Sequence, residues 1–145
     1  MRIRDRMRIS GFFVLSWNGD IEIYPNVVVD DGLKRVGDIL IGAETSNVTL
    51  TKFGAGSGTT NVSYTDSALE GELGKVSPQV TNYPRRKDTV IENAWVVGTS
   101  DLNGSWGNIG VFFDDNTMFA HANVTPRLKN SSDQVSVWYF IDLIN

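Results

Sequence analysis

Apolar residues near the start of the chain predict a β-hairpin. Residues 11–17 form an apolar run, and residues 20–24 alternate isoleucine with acidic side chains. Between them stands Asn18-Gly19, a dipeptide that favours a type I′ turn because both central residues of that turn need a positive φ. Pro25 lacks the N–H that would continue the ladder, so the second strand is predicted to end there.

One segment, about residues 27–41, has the periodicity of an amphipathic helix. Its apolar positions are spaced by four, three and four residues and share one helical face: Val29, Leu33, Val36 and Leu40. Asn26 is predicted to cap the helix and Gly42 to end it. Because Gly32 and Gly37 each weaken a helix by up to about 1 kcal/mol relative to alanine, this helix is predicted to need a sheet to dock on.

Alternating apolar and polar positions predict strands through much of the remaining chain. The predicted strands lie near residues 47–53, 75–80, 88–98, 109–113, 118–124 and 135–144. Three segments interrupt them. The glycine-rich residues 54–60 and the basic residues 82–87 predict loops, and residues 66–73 predict one or two helical turns capped by Asp66.

The last predicted strand is apolar on both faces. Val137 and Tyr139 alternate with Trp138 and Phe140, so large apolar side chains project to opposite sides. Such a strand lies either in the centre of a layered fold or at a subunit interface. Trp138 and Phe140 are therefore candidate assembly residues.

Short strands separated by turn residues predict a mainly β fold. We expect an antiparallel β-sandwich or a partly open barrel, with the helix on a sheet face or across an open end. The length of 145 residues indicates one domain, and 41% hydrophobic residues are enough for a core. Residues 1–9 are predicted to be a basic arm and residues 10–145 the domain.

The chain divides into a basic arm and an acidic body. Its net charge is −4, from 13 Lys and Arg against 17 Asp and Glu. The arginines of the arm stand at alternate positions: Arg2, Arg4, Arg6 and Arg8. We expect the arm either to lie extended on an acidic neighbouring subunit or to be a solvated terminus. The acidic body disfavours nucleic acid as a partner.

No segment predicts a membrane or secretory role. The apolar run at residues 11–17 is short for a signal region, and no stretch approaches the ~20 apolar residues of a membrane span. We therefore expect the protein to be made and folded in a cytoplasm.

Candidate catalytic and metal-binding chemistry is sparse. With no cysteine and one histidine, the chain lacks the usual thiolate and histidine ligands of zinc. The glycine-rich stretch has Thr59 where a phosphate loop needs lysine. His121 could act as a base for a nucleophilic serine, but the chain has no Gly-x-Ser-x-Gly motif to supply one. Acidic residues that could pair as in glycosidases give no specific signal: Glu70, Glu72, Glu92 and Asp101. No catalytic, metal or cofactor residue is predicted.

Tryptophan suggests a rival function. The chain has four tryptophans: Trp17, Trp95, Trp106 and Trp138. Exposed on a sheet, such rings could bind sugars, as in a carbohydrate-binding module, and a cell-surface glycan would then be the partner. The interpretation favoured here is that they are core or interface residues.

Three stretches follow one another in an order that resembles a known family. The first, residues 26–40, is NVVVDDGLKRVGDIL and leads into a strand and the glycine-rich stretch. The second, residues 65–73, is TDSALEGEL; the third, residues 108–123, is NIGVFFDDNTMFAHAN and is closed by Pro126 and Lys129. They resemble the small β-domains of tailed-bacteriophage structural modules, including the amino-terminal attachment domain of tail fibres in contractile-tailed phages.

The resemblance implies a virion structural protein that works by symmetric assembly. The expected location is the tail, the baseplate or the fibre attachment, with a capsid decoration or vertex protein as the alternative. Partners would be copies of the chain and other virion proteins, assembled in the host cytoplasm. Asn108 replaces the glutamate that usually opens the family hairpin, and no shaft follows Asn145. We therefore expect a stand-alone component rather than a receptor-binding fibre.

Overall fold

The computed structural model describes residues 8–77 and 79–144, which form two antiparallel five-stranded sheets and one helix. In chain order the elements are β1 (Arg8–Trp17), β2 (Asp20–Pro25), β3 (Val27–Val28), α1 (Asp30–Leu40), β4 (Leu50–Gly56), β5 (Glu72–Val76), β6 (Arg85–Lys87), β7 (Val90–Val97), β8 (Gly104–Phe113), β9 (Met118–Lys129) and β10 (Val135–Ile144). The sheets pack face to face and do not close into a barrel. The predicted β-sandwich is confirmed.

The last strand sits at the centre of the first sheet. That sheet has the order β2-β1-β10-β7-β6, and the second has the order β3-β9-β8-β4-β5. β1 pairs with β10 over its whole length, from Arg8 opposite Ile144 to Trp17 opposite Val135. The two ends of the domain therefore lie side by side, and β10 has a neighbour on each edge.

Aromatic side chains from both sheets fill the space between them. The rings of Trp17 and Trp106 meet edge to face with centroids 4.9 Å apart, and Phe53 contacts both Trp95 and Trp106. Large aromatic rings bury the most apolar area per residue and favour such tilted contacts. This aromatic cluster ties the two sheets into one core.

The predicted N-terminal hairpin is confirmed. Asn18 and Gly19 have φ values of 49° and 102°, as the tight turn requires. The Asn18 side chain also donates to Asp133 and accepts from the backbone N–H of Gln134. The turn is thus joined to the loop that leads into β10.

The helix begins later than predicted. Val29 occupies the cap position without a side-chain hydrogen bond, and Asn26 instead donates to the hydroxyl of Tyr139. The reason is tertiary: Val27 and Val28 pair with β9, so the backbone stays extended through the predicted first turn. Gly42, with a φ of 76°, follows the helix end as predicted.

The predicted apolar face of the helix is confirmed for Val29, which is buried, and for Val36, and is wrong for the two leucines. Leu33 and Leu40 are 46% and 74% exposed, whereas Val36 and Ile39 pack against the core. Gly32 is the buried contact of the helix, because its missing side chain lets α1 approach the backbone of Phe119. With this close contact, Ile39 faces the core in place of the predicted Leu40.

Two glycines of α1 should therefore respond oppositely to alanine. At Gly32 a Cβ would lie 2.6 Å from the carbonyl oxygen of Phe119, whereas at Gly37 nothing lies within 4 Å. We expect Gly37→Ala to raise the free energy of unfolding by up to about 1 kcal/mol and Gly32→Ala to lower it by about 1–3 kcal/mol. Urea unfolding of both variants measures this, and equal effects would contradict the packing.

Three other local predictions are wrong. β4 continues through Gly54 and Gly56 rather than ending in a loop. Residues 57–71 fold closely over the strand: a Cβ at Gly56 would lie 2.3 Å from the carbonyl oxygen of Glu70, so glycine is needed there. The predicted turns of residues 66–73 are not helical, since Asp66 accepts from the backbone of Ser63. The basic loop contains the short edge strand β6.

Arg35 holds α1 on the β8–β9 turn. Its guanidinium donates to the carboxylate of Asp115, to the Asn47 carbonyl at 2.8 Å and to the Thr117 hydroxyl at 3.0 Å. The hydrogen bond from Arg35 lowers the pKa of Asp115 from 3.8 to about 2. The helix is therefore anchored at its middle by a charge-assisted contact.

The Arg35–Asp115 pair predicts a specific acid sensitivity. A carboxyl group whose pKa is lower in the folded state adds stability above its unfolded pKa and loses it as pH falls through the folded value. We expect Asp115→Asn to destabilise the protein above pH 3.8 and to have progressively less effect as pH falls to about 2. Urea unfolding of both proteins across this range measures the difference, and a constant difference would contradict the role of the pair.

Candidate functional site

The histidine is a buried structural residue. Nδ1 of His121 lies 2.8 Å from the carboxylate of Asp66, and Nε2 lies 2.8 Å from the amide oxygen of Asn108. The side chain is 4% exposed, so solvent and substrate have little access to it. Because both ring nitrogens are engaged, the arrangement does not present a base to a nucleophile.

Asn108 joins the second and third stretches of the sequence resemblance and the glycine-rich residues before them. Its amide nitrogen donates to the carbonyls of Gly58 and Glu70, both at 2.9 Å, and its oxygen accepts from the Glu70 N–H at 3.2 Å. With His121 and Asp66, these contacts fasten residues 57–71 onto the second sheet. A glutamate at this position would accept but, when ionised, not donate. The two carbonyl contacts therefore depend on the amide of asparagine at this position.

The acidic residues considered as catalytic pairs have separate structural partners. Glu70 accepts from the backbone and hydroxyl of Thr60, Glu72 pairs with Lys75, and Glu92 pairs with Arg85. Within residues 8–77 and 79–144, no three His, Asp or Glu side chains are grouped so as to hold a metal ion. Each of these three glutamates is thus engaged by a partner of its own.

Three of the four tryptophans belong to the core. Trp17, Trp95 and Trp106 are at most 1% exposed. Trp95 and Trp106 donate through their ring N–H to the carbonyls of Thr51 and Leu102. Trp138 points away from the core. It is therefore the tryptophan to which the hypothesis of a sugar-binding ring still applies.

The outward surface of the first sheet carries an apolar cluster, here called the outer face, with Ser16 and Ser136 in the row between Ile21 and Val96. Its members come from four neighbouring strands: Phe12, Val14, Ile21, Ile23, Val96, Trp138 and Phe140. Phe12 and Phe140 stack with ring centroids 5.0 Å apart. Ile21 and Ile23 are 60% and 65% exposed. Isolated apolar side chains are common on protein surfaces, whereas a contiguous group marks an interaction site.

Strand register makes the outer face contiguous. Val14 lies opposite Ile23 on one side and Trp138 on the other, and Phe12 lies opposite Phe140 in the next outward row. Directly opposed side chains in a sheet touch. The outer face is therefore widest over β2, β1 and β10, at the hairpin side of the sheet.

Charged groups border the outer face on its other side. Arg85 pairs with Glu92 at the β6–β7 edge, and Asp142 accepts from the hydroxyl of Thr89. An apolar centre with a polar border is the usual arrangement of a protein interface. The geometry thus fits association with another protein surface.

The predicted site residues divide into two groups. Trp138 and Phe140 lie together on the outer face, as their alternation predicted. Arg2, Arg4 and Arg6 lie outside the described residues, as does the side chain of Arg8, whose backbone begins β1. The remaining prediction about the arm is therefore not tested by the fold.

Sequence analysis missed most of the outer face. Its overlooked members are Phe12, Val14, Ile21, Ile23 and Val96. A signal was present in the hairpin, because the unbroken apolar run of residues 12–15 cannot bury both faces of a strand in one core. That two-sided pattern matches the one recognised in β10.

Comparison with known proteins adds no relative. No protein-family model, curated protein or solved structure matches the chain. Among the described residues, no helix has the length and apolar character needed to span a bilayer.

Proposed function

We propose that this chain is a non-enzymatic structural subunit that associates with copies of itself through the outer face. The observation that carries the proposal is the set of seven apolar side chains that share the outward surface of four neighbouring strands. Hydrophobic burial drives most protein association, and water-exposed aromatic residues are frequent anchors of interfaces. None of these seven side chains belongs to the buried core, so a partner surface would account for their apolar character.

The sheet order supports a two-fold symmetric pairing. β2 and β10 flank β1 on opposite sides, so an axis parallel to β1 places the β2 strand of one copy over the β10 strand of the other. Ile23 and Trp138 share one row of the face, which lets each meet the other across the axis. Such an interface is self-complementary, as closed symmetric oligomers require.

The setting of this assembly comes from the sequence resemblance. We propose a tailed phage particle, with the subunit in the tail, the baseplate or the fibre attachment region, beside other virion proteins. A capsid decoration or vertex protein is the alternative within the same class. The symmetric use of a sheet face suits all of these positions.

Light scattering tests the assembly. The mass of the purified chain at two protein concentrations and two salt concentrations should correspond to a closed oligomer whose population rises with concentration. A monomer under all four conditions would overturn self-assembly. Removing residues 1–7, which leaves β1 whole, should weaken the oligomer more at low salt than at high salt if the arginines contact an acidic neighbour.

A carbohydrate-binding module is the second candidate, and Trp138 is the observation that favours it. It is the one tryptophan on the outer face, with the stacked pair of Phe12 and Phe140 nearby. A monomer that binds glycans on an array, and loses binding on Trp138→Ala, would replace the assembly proposal. An oligomer without glycan binding would exclude this candidate.

A further inference from the structure

A second apolar feature is a half-open cavity beside α1, between the helix and the two sheets. Its volume is about 430 Å³. Ile91 and Ile141 line it from the first sheet, Phe113 and Phe119 from the second, and Ile39 from the helix. These side chains point inward, away from the outer face. No charged side chain belongs to the described lining.

The cavity follows from how the helix docks. Gly32 presses the N-terminal half of α1 against the backbone of Phe119, and Arg35 anchors the next turn on Asp115. Beyond that point the C-terminal half overhangs the open end of the sandwich, where Leu40 lines the cavity yet is 74% exposed. Protein interiors normally contain few voids larger than a water molecule. An apolar space of this size, open at an apolar rim, is the shape of a small-molecule pocket.

Of the two polar residues in the lining, Thr49 and Asn93, only Asn93 is buried. Asn93 is 1% exposed and lines the cavity, and its amide nitrogen donates to the carbonyl of Tyr139 over a long 3.4 Å. A side-chain amide offers two N–H donors and one oxygen acceptor. Among the described residues, that long contact is the one hydrogen bond of the amide, so the side chain keeps capacity to pair with a ligand hydroxyl.

We propose that this cavity binds a small aliphatic molecule with one uncharged hydrogen-bonding group, of the class of a medium-chain alcohol. The aliphatic part would occupy the apolar lining, and the polar group would meet Asn93. The volume lies within the roughly 300–1,000 Å³ of small-molecule pockets. An ionised carboxylate is disfavoured, because the described lining offers no cation and charge burial is costly. This site is separate from the outer face and does not rest on the proposed assembly.

The test is a titration of the ¹⁵N-labelled chain with 1-decanol, followed by NMR. We expect saturable shifts at cavity residues such as Ile39, Ile91 and Phe119, and binding at least tenfold weaker for decanoate. Asn93→Leu should weaken decanol binding by about tenfold, the effect of one lost hydrogen bond. Shifts confined to the outer face, or none up to the solubility limit of decanol, would overturn the proposal.

A matched pair of surface variants tests the site without relying on the folding of Asn93→Leu. Leu40 and Ile41 are adjacent and 74% and 79% exposed, but only Leu40 lines the cavity. Leu40→Glu should reduce decanol binding at least tenfold, and Ile41→Glu should leave it unchanged. Equal effects of the two substitutions would overturn the site. Cavity amides that respond to protein concentration but not to decanol would show a second copy as the occupant and would also overturn it.

Discussion

Phe140→Lys is expected to convert the assembled protein into folded monomers. Phe140 projects from the central strand of the first sheet onto the outer face, where it stacks on Phe12. A lysine there would bury a charge without a partner in the proposed interface, which costs several kcal/mol. Since each 1.4 kcal/mol is a factor of ten, association should weaken at least a hundredfold. Light scattering across a concentration series measures the loss, and circular dichroism verifies the fold.

Leu128→Lys is the matched control. Leu128 is 64% exposed, but it belongs to β9 in the second sheet. The same change in charge and side-chain type should therefore leave the mass unchanged. A Phe140→Lys protein that keeps the wild-type mass would show that the outer face is not the interface, and dissociation by Leu128→Lys would place the interface elsewhere.

Asn108→Leu is expected to lower the free energy of unfolding by about 3 kcal/mol or more. Asn108 is 1% exposed, and leucine of similar size keeps the volume but none of the hydrogen bonds. The carbonyls of Gly58 and Glu70, the Glu70 N–H and a ring nitrogen of His121 would lose a partner. Each buried polar group left without a partner costs about 1–3 kcal/mol, and local relaxation recovers part of the sum. Urea unfolding monitored by tryptophan fluorescence gives the value.

Asn61→Leu serves as the comparison for this measurement. Asn61 lies on the same segment over the second sheet but is exposed. Surface substitutions of this kind change stability by about 0.5 kcal/mol or less. If Asn108→Leu also stays within 1 kcal/mol of wild type, the network around Asn108 does not hold the segment.

The elements that sequence analysis predicted correctly depend on short-range chemistry. Asn18-Gly19 makes its turn from its own backbone preferences, and the strands of the last third follow from alternation within a few residues. The projection of Trp138 and Phe140 to one side of β10 follows from the same two-residue period. Such features require no knowledge of which strands become neighbours.

The errors arose where a distant segment changed the local preference. Val27 and Val28 are extended because β9 offers them a pairing edge, which delays the helix that the periodicity predicts. Gly54 and Gly56 lie in a strand because residues 57–71 close over them. Glycine indicates only that the backbone tolerates close approach, and the approaching segment determines whether the result is a loop or a strand.

The sequence by itself determined the β-rich class, the hairpin, the existence of the helix and the two apolar faces of β10, because each rests on residue type and spacing. Only the tertiary structure decided what surrounds them. The order β2-β1-β10 brings Ile21, Ile23 and Phe12 beside Trp138 and Phe140 to form the outer face. The close approach of α1 to Phe119 at Gly32 places the helix beside the cavity that Asn93 also lines. Both features depend on contacts between distant segments, because β1 pairs with β10 more than 100 residues away and α1 packs on Phe119 more than 80 residues away. No local pattern encodes such contacts.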